Sequence, residues 1–311
     1  MMRILMVGAG AVGGYFGARL AAAGREVNFL VRPGRAERLR ADGLVVGSPE
    51  GDVTIDATAV GPMIVGSDEL GPDYDVIVLT VKAYGLAAAL DDLAPAMGPR
   101  TVIIPTLNGM AHLDQLRERF GDDHVFGGVC VIAAQLDPDG AIRHLGLQPS
   151  LRFGELDGSV SPRVQEILAT FEVPGFAVSA SDKIIGDLWN KWVFLSSAAA
   201  ITCLLNGSVG AIAAAGGVPV ASAIIDETTS VATAAGYPPS PAADARTRSM
   251  LTESGSDLTA SMFRDLRQGL PIERAQIIGD LVERGRRAGL SLPLLSAADV
   301  ALKVYEQGRQ G

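Results

Sequence analysis

Apolar residues follow two rhythms along this 311-residue chain. In its first half they come as short strand-like runs at 4–7 (ILMV), 26–31 (EVNFLV), 75–81 (DVIVLTV) and 101–105 (TVIIP). The last two, continuous and rich in β-branched residues, predict parallel strands covered on both faces. The stretches 43–58 and 126–153 alternate instead and are broken by Gly, Pro and Asp, as in DPDG at 137–140, which predicts hairpins and edge strands. After the second run PGRAERLRADG, 33–43, reads as a helix. From about residue 181 the strand pattern stops, and long apolar or amphipathic segments follow at 184–205, 208–236, 240–265 and 271–288, punctuated by Gly and Pro.

The first strand runs straight into Gly8-x-Gly10-x-x-Gly13 and then a helix ending near Gly24. Gly8 permits the tight turn, Gly10 lets backbone approach a pyrophosphate, and Gly13 lets helix pack on strand. The N-terminus of the helix then offers N–H groups and a positive dipole end to phosphate. The whole turn, Gly8, Ala9, Gly10, Ala11, Val12 and Gly13, is therefore a candidate dinucleotide cradle. The predicted fold class is α/β: an N-terminal Rossmann-type unit over residues 1–180, followed by an all-α unit over 181–311. Such a pairing puts a substrate cleft between the two.

Composition narrows the function. The chain carries a formal net charge of −9 with a pI near 4.9, which argues against a nucleic-acid partner and requires local cations for any anionic ligand. Its two cysteines, Cys130 and Cys203, have no metal-ligand spacing and read as reduced core residues. The N-terminus shows no signal-peptide plan, and the apolar run 192–205 is shorter than the ~20 residues of a membrane helix, so a soluble, cytoplasmic protein with no membrane partner is expected.

Several side chains stand where chemistry is expected. An acid at the end of the second strand would hold the ribose 2′-hydroxyl of NAD; here the position is Arg32, with Arg35 three residues on. A guanidinium suits a 2′-phosphate, which favours NADP(H); two solvated arginines opening a helix would look the same. Lys82 and Asn108 follow the third and fourth apolar runs, and ligands of open α/β sheets lie outside such strand ends. DLWNKWVF, 187–194, holds both tryptophans, Trp189 and Trp192, with Lys191 between them at the head of the most apolar helix. Lysine is costly to bury, so Lys191 either snorkels, pairs with Asp187, or works. Glu273 falls in the predicted first turn of a helix with Pro271 at its first position and Gly289 beyond its end, where a carboxylate also complements the dipole.

GAGAVGGYFG at the N-terminus, VKAYG at 81–85, LNGM at 107–110, LWNKW at 188–192 and SMFRDLRQGLPIE at 261–273 resemble, in order and spacing over nearly the whole chain, the ketopantoate reductase (2-dehydropantoate 2-reductase) family. The resemblance implies a helical second domain like that of 6-phosphogluconate dehydrogenase. It also implies NADPH-dependent reduction of a 2-oxo acid, ketopantoate to pantoate on the route to pantothenate, and a homodimer. It casts Lys191 as the catalytic lysine and Glu273 as its acidic partner. Asn108 and Lys82 become cleft residues serving both substrate and cofactor, Ser261 a substrate-side serine, and Arg32 the holder of the 2′-phosphate. The chain departs from the family pattern at Leu195 and Ala199, where asparagines are usual, at Leu258, another usual asparagine, and in Leu270-Pro271-Ile272-Glu273. A reductase of the same family acting on a less polar 2-oxo acid or ketone is the alternative. A non-catalytic NADP(H)-binding regulator, in which Lys191 and Glu273 form only an ion pair, comes from another class.

Overall fold

The computed structural model describes residues 1–146 and 148–309; residues 147, 310 and 311 lie outside them. It divides into two compact units, Met1–Leu107 with His112–Ile184, and Asn108–Ala111 with the chain from Ile185 onward. The first contains β1 (Arg3–Val7), α1 (Ala11–Ala22), β2 (Glu26–Leu30), α2 (Pro33–Asp42), β3 (Leu44–Gly47), β4 (Val53–Ile55), α3 (Ala57–Val60) and β5 (Ile64–Val65). There follow β6 (Val76–Leu79), α4 (Leu86–Leu93), β7 (Val102–Pro105), α5 (Ala111–Phe120), β8 (Phe126–Val131), β9 (Ala134–Leu136), β10 (Ile142–His144), β11 (Ser150–Glu155), α6 (Pro162–Phe171) and β12 (Ala177–Ala180).

The four runs, joined at one edge by the two-residue β5 that the pattern did not predict, form one five-stranded sheet in the order β5-β2-β1-β6-β7, parallel throughout. Every residue of β6 and β7 is buried, which explains why neither strand alternates. The chain leaves β1 toward β2 on one side and resumes with β6 on the other. The loops after β1 and β6 therefore diverge, and a crevice opens at the carboxyl ends of those two strands. The alternating stretches become two smaller sheets, β4-β3-β10-β9 and β12-β11-β8. Both α6 and β12 lie in a region where the pattern predicted nothing. The signal was present: Ser161 accepts the amide of Val164, Pro162 holds the first position, and Val164, Ile167 and Phe171 form one buried face.

α1 lies unusually close to the strands. Gly8 turns with φ +104°, and the Thr80 hydroxyl donates to the Val7 and Gly8 carbonyls at 2.9 and 3.2 Å. A Cβ on Gly13 would overlap that Gly8 carbonyl and the Thr80 hydroxyl, whereas one on Gly10 would meet nothing within 4 Å.

The second unit holds α7 (Ile184–Leu204), α8 (Val209–Ala214), α9 (Val218–Ala234), α10 (Pro241–Leu251), α11 (Ser261–Arg267), a π-helical turn (Ala275–Gly279), α12 (Asp280–Arg287) and α13 (Pro293–Gly308). Three predicted segments need correction. Residues 208–236 break at Gly216-Gly217, where Gly216 has φ +81°. Residues 240–265 break after Leu251 and resume at Ser261. The last predicted helix begins at Arg274, not Pro271, with its first full turn wound as a π-helix, so Glu273 flanks the helix and its carbonyl accepts the Ile277 amide at 3.1 Å. Gly289, φ +73°, does close α12, and the Leu290 amide returns to the Gly285 carbonyl at 3.0 Å. α13 lies outside every predicted segment. Its cap comes from elsewhere in the chain: the Glu227 carboxylate accepts the Leu294 and Leu295 amides at 3.0 and 2.8 Å.

From Ser196 to Thr202 every residue of α7 is buried. Its polar residues Ser196, Ser197 and Thr202 are fully buried and spent on hydrogen bonds, Ser196 to the Trp192 carbonyl, Ser197 with the Thr228 hydroxyl and Thr202 to the Ala198 carbonyl, each at 2.7 Å. Cys130 is buried; Cys203 is half-buried, and burial pushes its thiol up to about 12. No helix among the described residues is long and apolar enough to cross a membrane.

The contrast between the two glycines is testable. Gly13→Ala forces a carbon against a backbone carbonyl and is expected to destabilise the protein by about 1–3 kcal/mol. Gly10→Ala, with φ −82° and open space before it, is expected to leave the thermal midpoint unchanged. Equal melting of the two variants would refute the packing role of Gly13.

Candidate active site

In the first unit, the crevice is lined by the turn after β1. Gly10 caps α1 without a side chain, and the first turn, Ala11, Val12 and Gly13, presents N–H groups that have no intrahelical acceptor. The space beside Gly10 is empty of protein although nothing in the fold forbids a side chain there. A dinucleotide pyrophosphate fits that cradle: N–H donors, the positive end of a helix, and room that a Cβ would fill.

Arg32 is exposed at the cap position of α2, with extended backbone. Its Nη2 atom lies where a Cβ on Gly85 would come within 3.1 Å. Gly85 closes the short turn Ala83–Gly85 that Lys82 opens, its amide donating to the Lys82 carbonyl at 2.8 Å. Arg32, from the end of β2, thus reaches the turn that exposed Lys82 opens at the end of β6. Arg35 behaves differently from the solvated or phosphate-holding side chain its spacing suggests. It turns inward, its Nε donating to the Ala9 carbonyl at 3.0 Å and its Nη1 to the Gly140 carbonyl at 3.2 Å.

The other sequence-predicted residues, Asn108, Lys191, Ser261 and Glu273, belong to the second unit. Asn108 is half-buried and precedes Gly109, whose φ of +78° and lack of a Cβ let the chain run directly against the Gln276 backbone. The Gln276 side-chain amide donates to the Asn108 carbonyl. Gln276 sits inside the π-helical turn, and the next residue receives α7: the Trp192 indole N–H donates to the Ile277 carbonyl at 2.9 Å. One irregular turn therefore anchors the Asn108 loop and the helix of Lys191, while Glu273 lies immediately before it. π-Turns are frequent at functional sites because the extra residue re-aims backbone carbonyls.

Lys191 is half-buried about two turns inside α7, whose start at Ile184 is where the pattern placed it. Glu273 is buried, 7% exposed. Its neighbour Arg274 is committed elsewhere, donating to Asp299 and Glu306 of α13 at 2.7 and 2.6 Å. Both tryptophans are buried, 4.9 Å apart between ring centroids, with Arg284 above Trp192. Ser261 lies exposed as the first residue of α11, and its side chain does not cap that helix. Leu195 is half-buried one turn beyond Lys191, Ala199 is a core residue at 1% exposure, and half-buried Leu258 gives its carbonyl to the Val209 amide. Gln276 was not among the predicted residues. Its only signal was an amide set in the apolar run AQII.

Comparison with known proteins matches both halves of the chain. Residues 4–158 fit the family model for ketopantoate reductase PanE/ApbA, and residues 183–306 fit the model for its C-terminal region. The chain is 35% identical to YkpB of Bacillus subtilis, an uncharacterized oxidoreductase, over 98% of this chain and 99% of that one. The crystal structure of 2-dehydropantoate 2-reductase from Methylococcus capsulatus superposes with a TM-score of 0.85 at 26% identity, covering 100% of this chain and 98% of that one. A D-mandelate dehydrogenase solved with NADH and anilino(oxo)acetate shares the fold, with a TM-score of 0.87 at 21% identity and full coverage of both chains. Two model matches that together take in both compact units, and a relative at this identity over the full length, leave one assignment: the chain belongs to the ketopantoate reductase family of dinucleotide-binding oxidoreductases.

Proposed function

We propose that the protein reduces a branched 2-oxo acid to the 2-hydroxy acid with NADPH, ketopantoate to pantoate being the reference reaction. The observation that carries this reading is the π-helical turn at Ala275–Gly279. It anchors the Asn108 loop through Gln276 and the Lys191 helix through Trp192, directly after Glu273. A reduced nicotinamide supplies the hydride when bound. The work of the chain's own residues is on the carbonyl oxygen, where negative charge accumulates as the carbon is reduced. The Lys191 ammonium stabilises that charge and delivers the proton, so the carbonyl gains hydride and proton and leaves as an alcohol. Buried Glu273 holds Lys191 in its charged, oriented form. Asn108 and Ser261 orient the substrate.

Cofactor choice rests on Arg32, since the fold alone serves an NADH enzyme as well. A guanidinium at the end of β2, beside the turn that Lys82 opens, suits a 2′-phosphate, whereas a bare 2′-hydroxyl is better held by the acid this position lacks. A second reading, a substrate less polar than ketopantoate, is favoured by one observation. Ser196 and Ser197, the hydroxyls nearest in sequence to Leu195, are fully buried and already hydrogen-bonded, so neither is available to replace the missing asparagines.

Three outcomes are expected. NADPH should exceed NADH in kcat/KM, and Arg32→Ala should cut NADPH use about ten- to a hundredfold more than NADH use, the worth of a charge-assisted phosphate contact; equal use of both by the wild type would overturn the assignment. Lys191→Met keeps the apolar stem and should fold and bind cofactor while kcat falls by roughly 10²–10⁴. Intact turnover in that variant would leave Lys191 a snorkelling or ion-paired residue without a catalytic role. Finally, 2-oxoisovalerate, which lacks the terminal hydroxyl, should approach or exceed ketopantoate in kcat/KM, because an unpaired hydroxyl costs about 1–3 kcal/mol. A ketopantoate preference above about a hundredfold would exclude the less polar substrate class.

A further inference from the structure

Arg35 occupies a position that electrostatics disfavours three times over. It is the third residue of α2, where the helix dipole repels a cation. Burial, and then Arg38 nearby, hold its guanidinium below the usual arginine range. Its Nη2 atom is shut off from solvent with no acceptor. A cation is kept at such a place only where its remaining donors do something that offsets the cost. Those donors reach two backbone carbonyls from distant parts of the first unit: Ala9 in the glycine turn, and Gly140 in the tight turn between β9 and β10.

The Ala9 carbonyl shares a peptide plane with the Gly10 amide. Because that peptide is planar and trans, its C=O and N–H point in opposite directions. Drawing the Ala9 oxygen toward the guanidinium fixes the Gly10 N–H on the opposite edge of the peptide, and at Gly10 itself no protein atom lies within 4 Å of where a Cβ would stand. A charged donor on the oxygen also polarises the peptide and strengthens the N–H on its other edge. We infer that Arg35 is a positioning residue for dinucleotide binding: it does not touch the 2′-phosphate but fixes and polarises the Ala9–Gly10 peptide, so that the Gly10 N–H is aimed at the pyrophosphate before the cofactor arrives. The inference rests on the reading of the glycine turn as a dinucleotide site. It separates two arginines three residues apart, Arg32 selecting between cofactors and Arg35 serving any dinucleotide.

Isothermal titration of the full chain with NADPH and with NADH tests it. Arg35→Met should weaken both about ten- to a hundredfold by the same factor, leaving the ratio of the two Kd values within about threefold of wild type. Arg35→Lys keeps a charge and a stem of similar reach, but one ammonium cannot bridge both carbonyls in a fixed plane. It should still lose at least threefold for both cofactors, and it carries the comparison should Arg35→Met fail to fold. Arg38→Met, which removes only a 3.1 Å contact to the Pro138 carbonyl in the same turn, should bind like wild type. Amide exchange over residues 8–14 of the ligand-free protein should quicken in Arg35→Met, which loss of a mere ligand contact would not cause. Unchanged Kd values in Arg35→Met, a loss confined to NADPH, full rescue by lysine, or an equal loss in Arg38→Met would each overturn the inference. Wild-type protein that binds neither dinucleotide would instead overturn the cofactor reading beneath it.

Discussion

The first unit depends on a distance too short for a methyl group. Where α1 crosses the ends of β1 and β6, Gly13 lies against the Gly8 carbonyl, and Thr80 bonds both Val7 and Gly8. That approach sets the helix axis, so it sets which N–H groups face the crevice and how the turn between them is bent. The strand order does the rest. Because the sheet is entered at β1 and grows both ways, the crevice opens at the one place where a helix N-terminus already stands. Binding capacity for an anion here follows from packing, before any side chain contributes charge.

The second unit meets a different constraint. Lys191, Glu273 and Asn108 come from sequence positions with no local relation to each other, and a regular α-helical turn at 275–279 would offer its carbonyls along the axis. Winding that turn as π frees the Ile277 carbonyl for the Trp192 indole and sends the Gln276 amide to Asn108. The cost of one irregular turn is offset by two hydrogen bonds that satisfy four polar groups.

What could be read from sequence divides along the same line. The parallel strands, the glycine turn and the apolar helix α7 were legible because each announces itself within a few residues: β-branched runs without alternation, glycines at fixed spacing, apolar positions all round. The residue types worth watching, Lys82, Asn108, Lys191 and Glu273, stood out as polar groups at the ends of apolar elements. The unreadable features depend on distant partners. Arg35 looked like a solvated or phosphate-facing side chain until the Ala9 and Gly140 carbonyls were beside it. α13 carries Pro293 at its first position but no capping side chain before it, because its cap is the distant Glu227. The helix after Glu273 was placed three residues early because Pro271 suits a first position by itself, whereas the π winding is imposed by Trp192 and Gln276.

The bond from Gln276 to Asn108 joins residues 168 apart in sequence, and that from Trp192 to Ile277 joins residues 85 apart. Arg274 is held in turn by α13, later still in the chain. During synthesis the Asn108 loop is therefore made long before the segment that fixes it, and it waits unanchored while everything between is threaded into place. Closing loops of such length is entropically the slowest kind of contact to form. The polar surface built on the π-turn is an outcome of late docking and not a folding nucleus, so a newly made chain has its glycine turn in order well before it has the Asn108 loop.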